Sequence, residues 1–126
     1  MSKKEIVTNN APKAIGPYSQ GIDASPFVFT SGQIPIDPAT GKVVSDDIKE
    51  QTAQVFKNLK GILEESGLSF DNVVKTTVFI TDMADFAAVN EIYKEYFNAP
   101  FPARSCVQVA ALPLGVKVEI ETICIR

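Results

Sequence analysis

The segment VKVEIETICI, residues 116–125, alternates two sets of side chains without a break. This period of two predicts a β-strand whose successive side chains point to opposite faces of a sheet. One face carries Val116, Val118, Ile120, Thr122 and Cys124. The other face mixes charge with aliphatic bulk, in Lys117, Glu119, Glu121, Ile123 and Ile125. Such a strand needs an apolar layer packed on its first face. Its second face needs surroundings that accept both charged and aliphatic side chains.

Two helical segments upstream of this strand are suited to form that apolar layer. Between residues 46 and 66 the apolar side chains recur at helical spacing, with Asp47 and Glu50 as a capping pair and Gly67 as the stop. Residues 86–97 repeat apolar side chains at three and four positions and are followed by prolines, which predicts a second helix.

The other segments read as strands. Strand-like patterns occupy residues 3–8, 18–23, 27–35, 72–80 and 105–111, and a turn is expected over 37–41. The strands 105–111 and 116–125 are expected to form a hairpin through Leu112-Pro113-Leu114-Gly115. Together these elements predict a single α+β domain over residues 1–126, with a mixed sheet that carries both helices on one face.

The uncovered face of that sheet predicts an oligomer. Because two helices cover only one face, Ile123 and Ile125 would be exposed in a single subunit and are expected to pack against another copy.

Composition narrows the chemistry and the partners. The 126 residues are 45% hydrophobic and 21% charged, with a net charge of -3, which is typical of a folded protein that acts on small molecules. That charge disfavours nucleic acid and anionic membranes as partners. The polar N-terminal stretch and the lack of a long apolar run predict a cytoplasmic protein.

Histidine is absent, and this excludes Ser-His-Asp and Cys-His catalysis as well as histidine-containing zinc sites. Chemistry must therefore use arginine, carboxylates, tyrosine, backbone groups and water. The two cysteines, Cys106 and Cys124, lie in apolar strand-like surroundings and are expected to be buried thiols.

Arg104 and Glu119 are the candidate pair for chemistry. Arg104 follows Pro102 at the entry to a strand, and its planar guanidinium can form two parallel hydrogen bonds with one carboxylate. The alternative is a surface arginine paired with an acid of the same chain. The expected hairpin register would put Arg104, Cys106 and Glu119 on one face, where Glu119 orients water or moves a proton. An ordinary cross-strand pair with a lysine is the alternative for Glu119.

Two loops have the composition of ligand-binding segments. Residues 16–21, GPYSQG, and 31–35, SGQIP, combine glycine, proline and small polar side chains beside apolar strands. Tyr18 is suited to cover a pocket, although a half-buried structural tyrosine is an equal alternative. Neither loop has the spacing of a phosphate-binding motif.

Five segments in order resemble the reactive intermediate deaminase family, also called the YjgF family, and its RidA subgroup in particular. They are IGPYSQG at 15–21, SGQIP at 31–35, VKTTVFI at 74–80, PARS at 102–105 and VEIE at 118–121. The resemblance covers nearly the whole chain.

The resemblance implies a chorismate-mutase-like α+β subunit and a homotrimer around a barrel-like centre, with active sites between subunits. It implies cofactor-free hydrolysis of 2-iminobutanoate or 2-iminopropanoate to a 2-keto acid and ammonia. By matching positions, Arg104 would bind the substrate carboxylate and Glu119 would handle water or a proton. The matching pocket-lining positions are Tyr18, Ser31, Gly32, Asn90 and the backbone of Cys106.

The chain departs from the family pattern near the predicted turn. Ala111 stands where arginine is common, Gln108 where glutamate is common, and Leu114-Gly115 where Lys-Asp is frequent. These departures leave the preferred substrate open. Two other roles that have been assigned to relatives also stay open: a regulatory or chaperone-like binding protein, and an endoribonuclease or translation inhibitor, which the acidic charge and missing histidine disfavour.

Overall fold

A computed structural model describes residues 2–126 of the chain. It contains eight strands, two α-helices and three short 3-10 turns, the last at Phe70–Asn72, Met83–Asp85 and Pro113–Gly115. The strands are β1 Lys4–Ile6, β2 Gly21–Ala24, β3 Phe27–Thr30, β4 Ile36–Asp37, β5 Lys42–Val43, β6 Val73–Ile80, β7 Ala103–Gln108 and β8 Val118–Ile125. The helices are α1 Ile48–Glu65 and α2 Phe86–Tyr93.

The first helix forms and ends where the sequence predicts. The Asp47 side chain accepts a hydrogen bond from the Glu50 amide at 2.9 Å, and Gly67 follows with a φ of 72°, which suits glycine. The expected reciprocal cap is only half made, because the Glu50 carboxylate instead accepts from the Ser45 hydroxyl at 2.6 Å. The second helix is shorter than predicted and ends at Tyr93, although Phe97 is still buried.

Six strands form one mixed sheet in the order β1-β2-β3-β8-β6-β7, while β4 and β5 pair separately. All neighbours in the large sheet are antiparallel except β6 and β7. The predicted hairpin between residues 105–111 and 116–125 is therefore wrong. Strand β6 lies between β7 and β8, and β7 reaches its parallel position beside β6 through α2.

Both helices pack on one face of this sheet, as the sequence predicts. Side chains of α1 and α2, such as Val55, Leu59 and Val89, form one core with Val78 and Ile120 of the sheet. An aromatic cluster joins the two helices where Phe56 stacks on Tyr96 with ring centroids 4.4 Å apart; its other members are Phe70, Tyr93 and Phe97. Truncating Phe56 would cost about 3–5 kcal/mol of folding free energy.

Within residues 2–126, no helix covers the opposite face of the sheet. Large apolar side chains there are 39–44% exposed: Phe27, Phe29, Val107 and Ile125. Ile125 is exposed as predicted, whereas Ile123 is half-buried because it lies beside Phe29 on β3. We call this surface the open face.

Candidate functional site

A groove of about 750 Å³ collects one half of the predicted site residues. Its walls include Tyr18, Ser31, Gly32 and Glu119, which come from two loops and β8. The rest of the lining is mostly apolar: Pro12, Lys13, Ile15, Gln20, Gln33, Ile34, Ile36, Pro38, Gly41, Pro113 and Leu114. A cavity of this size and character is typical of small-molecule sites.

The backbone of Gly32 lies close beneath the Glu119 carboxylate in this groove. A Cβ added at Gly32 would lie 2.8 Å from the carboxyl carbon of Glu119 and still closer to one of its oxygens. Any side chain at position 32 would therefore displace the carboxylate, which passes directly over the backbone. The backbones of Gln33 and Ile120 exchange two hydrogen bonds, of 2.8 and 3.1 Å, and these fix the loop against β8.

Glu119 has an unusual electrostatic setting. Partial burial raises its pKa above the ordinary value, and the neighbouring charge of Glu121 raises the pKa further. The ion pairs within residues 2–126 join Lys49 to Glu91 and Arg126 to Asp23, so Glu119 forms no ion pair there, although Lys13 lines the same groove. A half-buried carboxylate without an ion pair is well placed to exchange protons.

The buried side-chain amide of Gln20 holds the N-terminal segment that forms part of the groove. The Gln20 side chain accepts from the Thr8 amide at 2.8 Å and donates to the Thr8, Ala11 and Pro12 carbonyl oxygens at 2.8–3.2 Å. These four hydrogen bonds fix the segment from Thr8 to Pro12, whose end lines the groove. Gln20 belongs to a sequence segment noted for its loop character, but nothing in that segment marked the glutamine as the anchor.

Ser31 and Tyr18 are held by local backbone contacts. The Ser31 hydroxyl donates to the Ser19 carbonyl oxygen, and the Ser31 amide donates to the Gln20 carbonyl at 2.9 Å. The Tyr18 hydroxyl accepts from the Ile15 amide at 3.2 Å, which leaves its ring half-exposed along the groove.

Arg104 is held away from this groove, on the edge strand β7. Its guanidinium carbon lies 4.8 Å from the ring centroid of Tyr93 and 5.3 Å from that of Phe86. One terminal nitrogen, Nη1, donates to the Asn90 side-chain oxygen at 2.6 Å. No carboxylate within residues 2–126 forms an ion pair with Arg104, so the alternative of a surface salt bridge within the chain is wrong.

Cys106 lies two residues further along β7, on the same face as Arg104. Partial burial raises the pKa of its thiol, and the nearby Arg104 charge offsets part of that rise. Cys124 is fully buried, and burial raises its pKa as well. Both cysteines are unpaired thiols, and within residues 2–126 no cluster of three or more Cys, Asp or Glu side chains is arranged to hold a metal ion.

The two halves of the predicted site are on opposite faces of the sheet. Arg104 and Thr122 both pair with Thr76, which places them on the helix-covered face, whereas Glu119 pairs with Phe79 on the open face. The prediction that Arg104 and Cys106 share a face with Glu119 is therefore wrong, because it depended on the hairpin. One chain brings together Tyr18, Ser31, Gly32 and Glu119 in the first half-site, and Arg104 and Asn90, with Cys106 nearby, in the second.

Comparison with known proteins decides the family. Residues 8–126 match the model of a family described as endoribonuclease L-PSP. A relative from Salmonella typhimurium, named 2-iminobutanoate/2-iminopropanoate deaminase, is 55% identical over 98% of both chains. This chain belongs to that family. The resemblance to reactive intermediate deaminases that the sequence motifs indicate is thereby confirmed, and so is the prediction that the chain is a deaminase-type enzyme.

Solved structures of the reactive intermediate deaminase family share the fold. A Rid-family protein from Yersinia pestis superposes with a TM-score of 0.97 at 51% identity, covering 99% of this chain and all of that one. The structure of TdcF from Escherichia coli with bound serine gives a TM-score of 0.94 at 52% identity, with 98% of both chains covered. Two helices on a mixed sheet are thus shared across the family. In residues 2–126, neither helix has the apolar length needed to cross a bilayer, and the cytoplasmic location stays a prediction.

Proposed function

We propose that this chain is a cofactor-independent deaminase that adds water to small 2-imino acids, such as 2-iminobutanoate and 2-iminopropanoate, and releases a 2-keto acid and ammonia. The observation that carries the proposal is the pair of groups that form no ion pair within residues 2–126: a guanidinium supported by a neutral amide, and a half-buried carboxylate with a raised pKa. The names of whole-chain relatives from Salmonella typhimurium and Escherichia coli support the same reaction.

Arg104 would bind the substrate carboxylate. Its Nη1 is engaged by Asn90, and the aromatic rings of Tyr93 and Phe86 lie close to its guanidinium. Because no acid within residues 2–126 forms an ion pair with Arg104, its other N–H donors are available for a bidentate pairing with a carboxylate. This placement fixes the imine carbon relative to the protein.

Glu119 would move the protons. With the imine nitrogen already protonated, the Glu119 carboxylate takes a proton from water as the water oxygen bonds to the iminium carbon, and the π electrons of the carbon–nitrogen bond move to the nitrogen. Glu119 then returns that proton to the nitrogen of the amino alcohol. The carbon–nitrogen bond breaks as the ionised carboxylate takes the hydroxyl proton, which leaves the keto acid and ammonia, and the ammonia accepts this last proton from Glu119. A raised pKa suits both roles, because the group is a stronger base than an ordinary glutamate and still releases the proton. Tyr18, Ser31 and Gly32 would line the space for the reacting atoms, with Asn90 and the backbone of Cys106 at the other side.

The site would form between subunits of a homotrimer. Arg104 and Glu119 face opposite sides of one sheet, so a single chain cannot direct both at one small molecule. The open face exposes Phe27, Phe29, Val107 and Ile125, an apolar surface suited to burial against identical copies. We propose a chorismate-mutase-like trimer with a barrel-like centre, in which one subunit supplies Arg104 and its neighbour supplies Glu119.

The activity test couples the chain to a pyridoxal-phosphate-dependent serine/threonine dehydratase and measures keto-acid release above the spontaneous rate. Arg104→Ala is expected to lower kcat/KM by about 100-fold or more, since a charged, two-pronged contact is lost. Glu119→Gln is expected to lower kcat by about 100- to 10,000-fold. Full activity of Arg104→Ala would contradict the proposal and favour a regulatory binding protein instead. RNA cleavage that persists through stringent purification and disappears in Arg104→Ala would favour the endoribonuclease alternative.

Mixed assemblies test the sharing of sites. Arg104→Ala and Glu119→Gln subunits are unfolded together, refolded in equal amounts, and compared with each variant refolded alone. If each site takes Arg104 from one subunit and Glu119 from the next, random mixing restores about one quarter of the parental activity. No recovery above the separate variants, with trimers present by light scattering, would show that each subunit carries its own complete site.

A further inference from the structure

The turn before β8 places a leucine where the backbone disfavours it. The Val116 amide donates to the Pro113 carbonyl oxygen at 3.3 Å, and the two residues between them, Leu114 and Gly115, have φ values of 56° and 68°. Two central residues with positive φ are the mark of a type I′ turn, whose first central position favours Asn, Asp or Gly. Leu114 is the one non-glycine residue with positive φ in residues 2–126.

Packing within the chain does not explain this leucine. Leu114 is 71% exposed, and Ile15 is 86% exposed, the two highest values among large apolar side chains of residues 2–126. Both line the groove that holds Glu119. A strained, exposed leucine and an exposed isoleucine at one groove point to a ligand as the group that covers them.

The groove is also larger than a four-carbon acid requires. Its volume of about 750 Å³ lies in the range of sites for much larger ligands. Beyond Glu119 the walls continue with apolar side chains such as Ile34, Ile36 and Pro38. A substrate whose carboxylate and imine carbon are fixed near Glu119 would therefore extend its side chain along an apolar surface.

We infer that Leu114, together with Ile15, is a specificity-determining contact that binds the substrate's side chain and favours longer unbranched apolar chains. The inference rests on the proposed imine hydrolysis for its setting. Each methylene that the two side chains cover is expected to raise kcat/KM by about fourfold.

The test compares 2-imino acids generated in place from 2-aminobutanoate, norvaline and norleucine by an amino-acid oxidase. For the parent, kcat/KM should rise along this series. In Leu114→Asn, the ratio of norleucine-derived to 2-aminobutanoate-derived kcat/KM should fall by about fivefold to tenfold. Val7→Asn removes another exposed aliphatic side chain, 64% exposed and outside the groove, and should leave the ratio unchanged. An unchanged ratio in Leu114→Asn would overturn the inference.

Two further readouts separate this inference from folding and from the proposed function. Because asparagine suits the first central position of a type I′ turn, Leu114→Asn should have an equal or higher Tm than the parent. Calorimetric binding of 2-oxobutanoate and 2-oxohexanoate measures the same preference without catalysis. The contact is supported, even if no imine is hydrolysed, if the parent binds 2-oxohexanoate more tightly than 2-oxobutanoate and Leu114→Asn does not. Equal affinities for the two acids in both proteins would overturn it.

Discussion

The two half-sites of this chain are built in different ways. Around Glu119 the backbone determines the geometry. Gly32 lies directly under the carboxylate, and the backbone of Gln33 is hydrogen-bonded to that of Ile120 on β8. Around Arg104 the side chains determine the geometry, because the guanidinium is held by the Asn90 amide and the rings of Tyr93 and Phe86 on an edge strand. In the first half-site added volume at Gly32 would displace the carboxylate, and the second half-site depends on charge and hydrogen bonding.

The largest effect is expected from adding one carbon to the first half-site. Gly32→Ala puts a methyl group where the Glu119 carboxylate lies, so the carboxylate must move out of position. We expect kcat to fall by about 100-fold while the fold is retained, because displacement of a reacting group by about an ångström is costly. Steady-state kinetics with circular dichroism as the folding check would measure this.

A double-variant cycle isolates the cause of that loss. In a Glu119→Ala background the clash is absent, so adding Gly32→Ala should change the residual rate by less than about twofold. If Gly32→Ala were equally damaging without Glu119, the glycine would be serving the loop and not the carboxylate.

A smaller effect is expected from placing a negative charge beside Arg104 in the second half-site. Asn90→Asp keeps the shape but places a carboxylate 2.6 Å from Arg104, where it competes with the substrate. We expect KM to rise by about tenfold or more with kcat nearly unchanged, since an internal ion pair must be displaced on binding. Added salt should partly restore KM because it weakens the competing pair.

Asn90→Ala serves as the matched comparison. It removes the oxygen that orients the guanidinium without adding charge, so KM should rise by less than in Asn90→Asp and should lack the salt-dependent recovery. Equal KM values for the two variants would show that orientation, and not charge, is the contribution of Asn90.

The smallest effect concerns the pH profile. Glu119 must be ionised to accept a proton, so kcat/KM should fall as the pH drops through its pKa, which lies above the ordinary value of 4.5. Glu121→Gln removes the like charge that contributes to this rise, so the acidic limb should move to lower pH by less than about one unit. A limb that stays in place or moves upward would contradict the assignment of the limb to Glu119.

Sequence patterns predicted the elements of this fold better than their pairing. The helix over 46–66 and the strand over 72–80 carry strong local periodicity and caps, and both are present. The predicted hairpin assumed that consecutive strands separated by a short turn are neighbours. The intervening order of strand, helix and strand, β6-α2-β7, is the pattern that predicts a parallel crossover, and it would have placed β6 against β7.

The way the candidate site residues are grouped in space was predicted only in part from the sequence. The loop residues Tyr18, Ser31 and Gly32 meet Glu119 because short connections fix them beside β8. Arg104 was expected on the same face as Glu119 because β7 was expected to pair directly with β8. With β6 between these two strands the register is different, and the two side chains point to opposite faces of the sheet. No property of either side chain encodes its partner strand. Leu114 departs from the family pattern already in the sequence, but its positive φ is visible only in three dimensions.

The sheet between Arg104 and Glu119 prevents these two side chains from forming an ion pair within a single subunit. Two opposite charges that could reach one another would form an internal ion pair, and every substrate molecule would then have to break it. Here the hydrogen-bonded sheet keeps Arg104 and Glu119 on opposite faces, so the two side chains of one chain do not pair with each other. In the proposed trimer, assembly alone would switch these groups on, and dilution of the protein would switch them off.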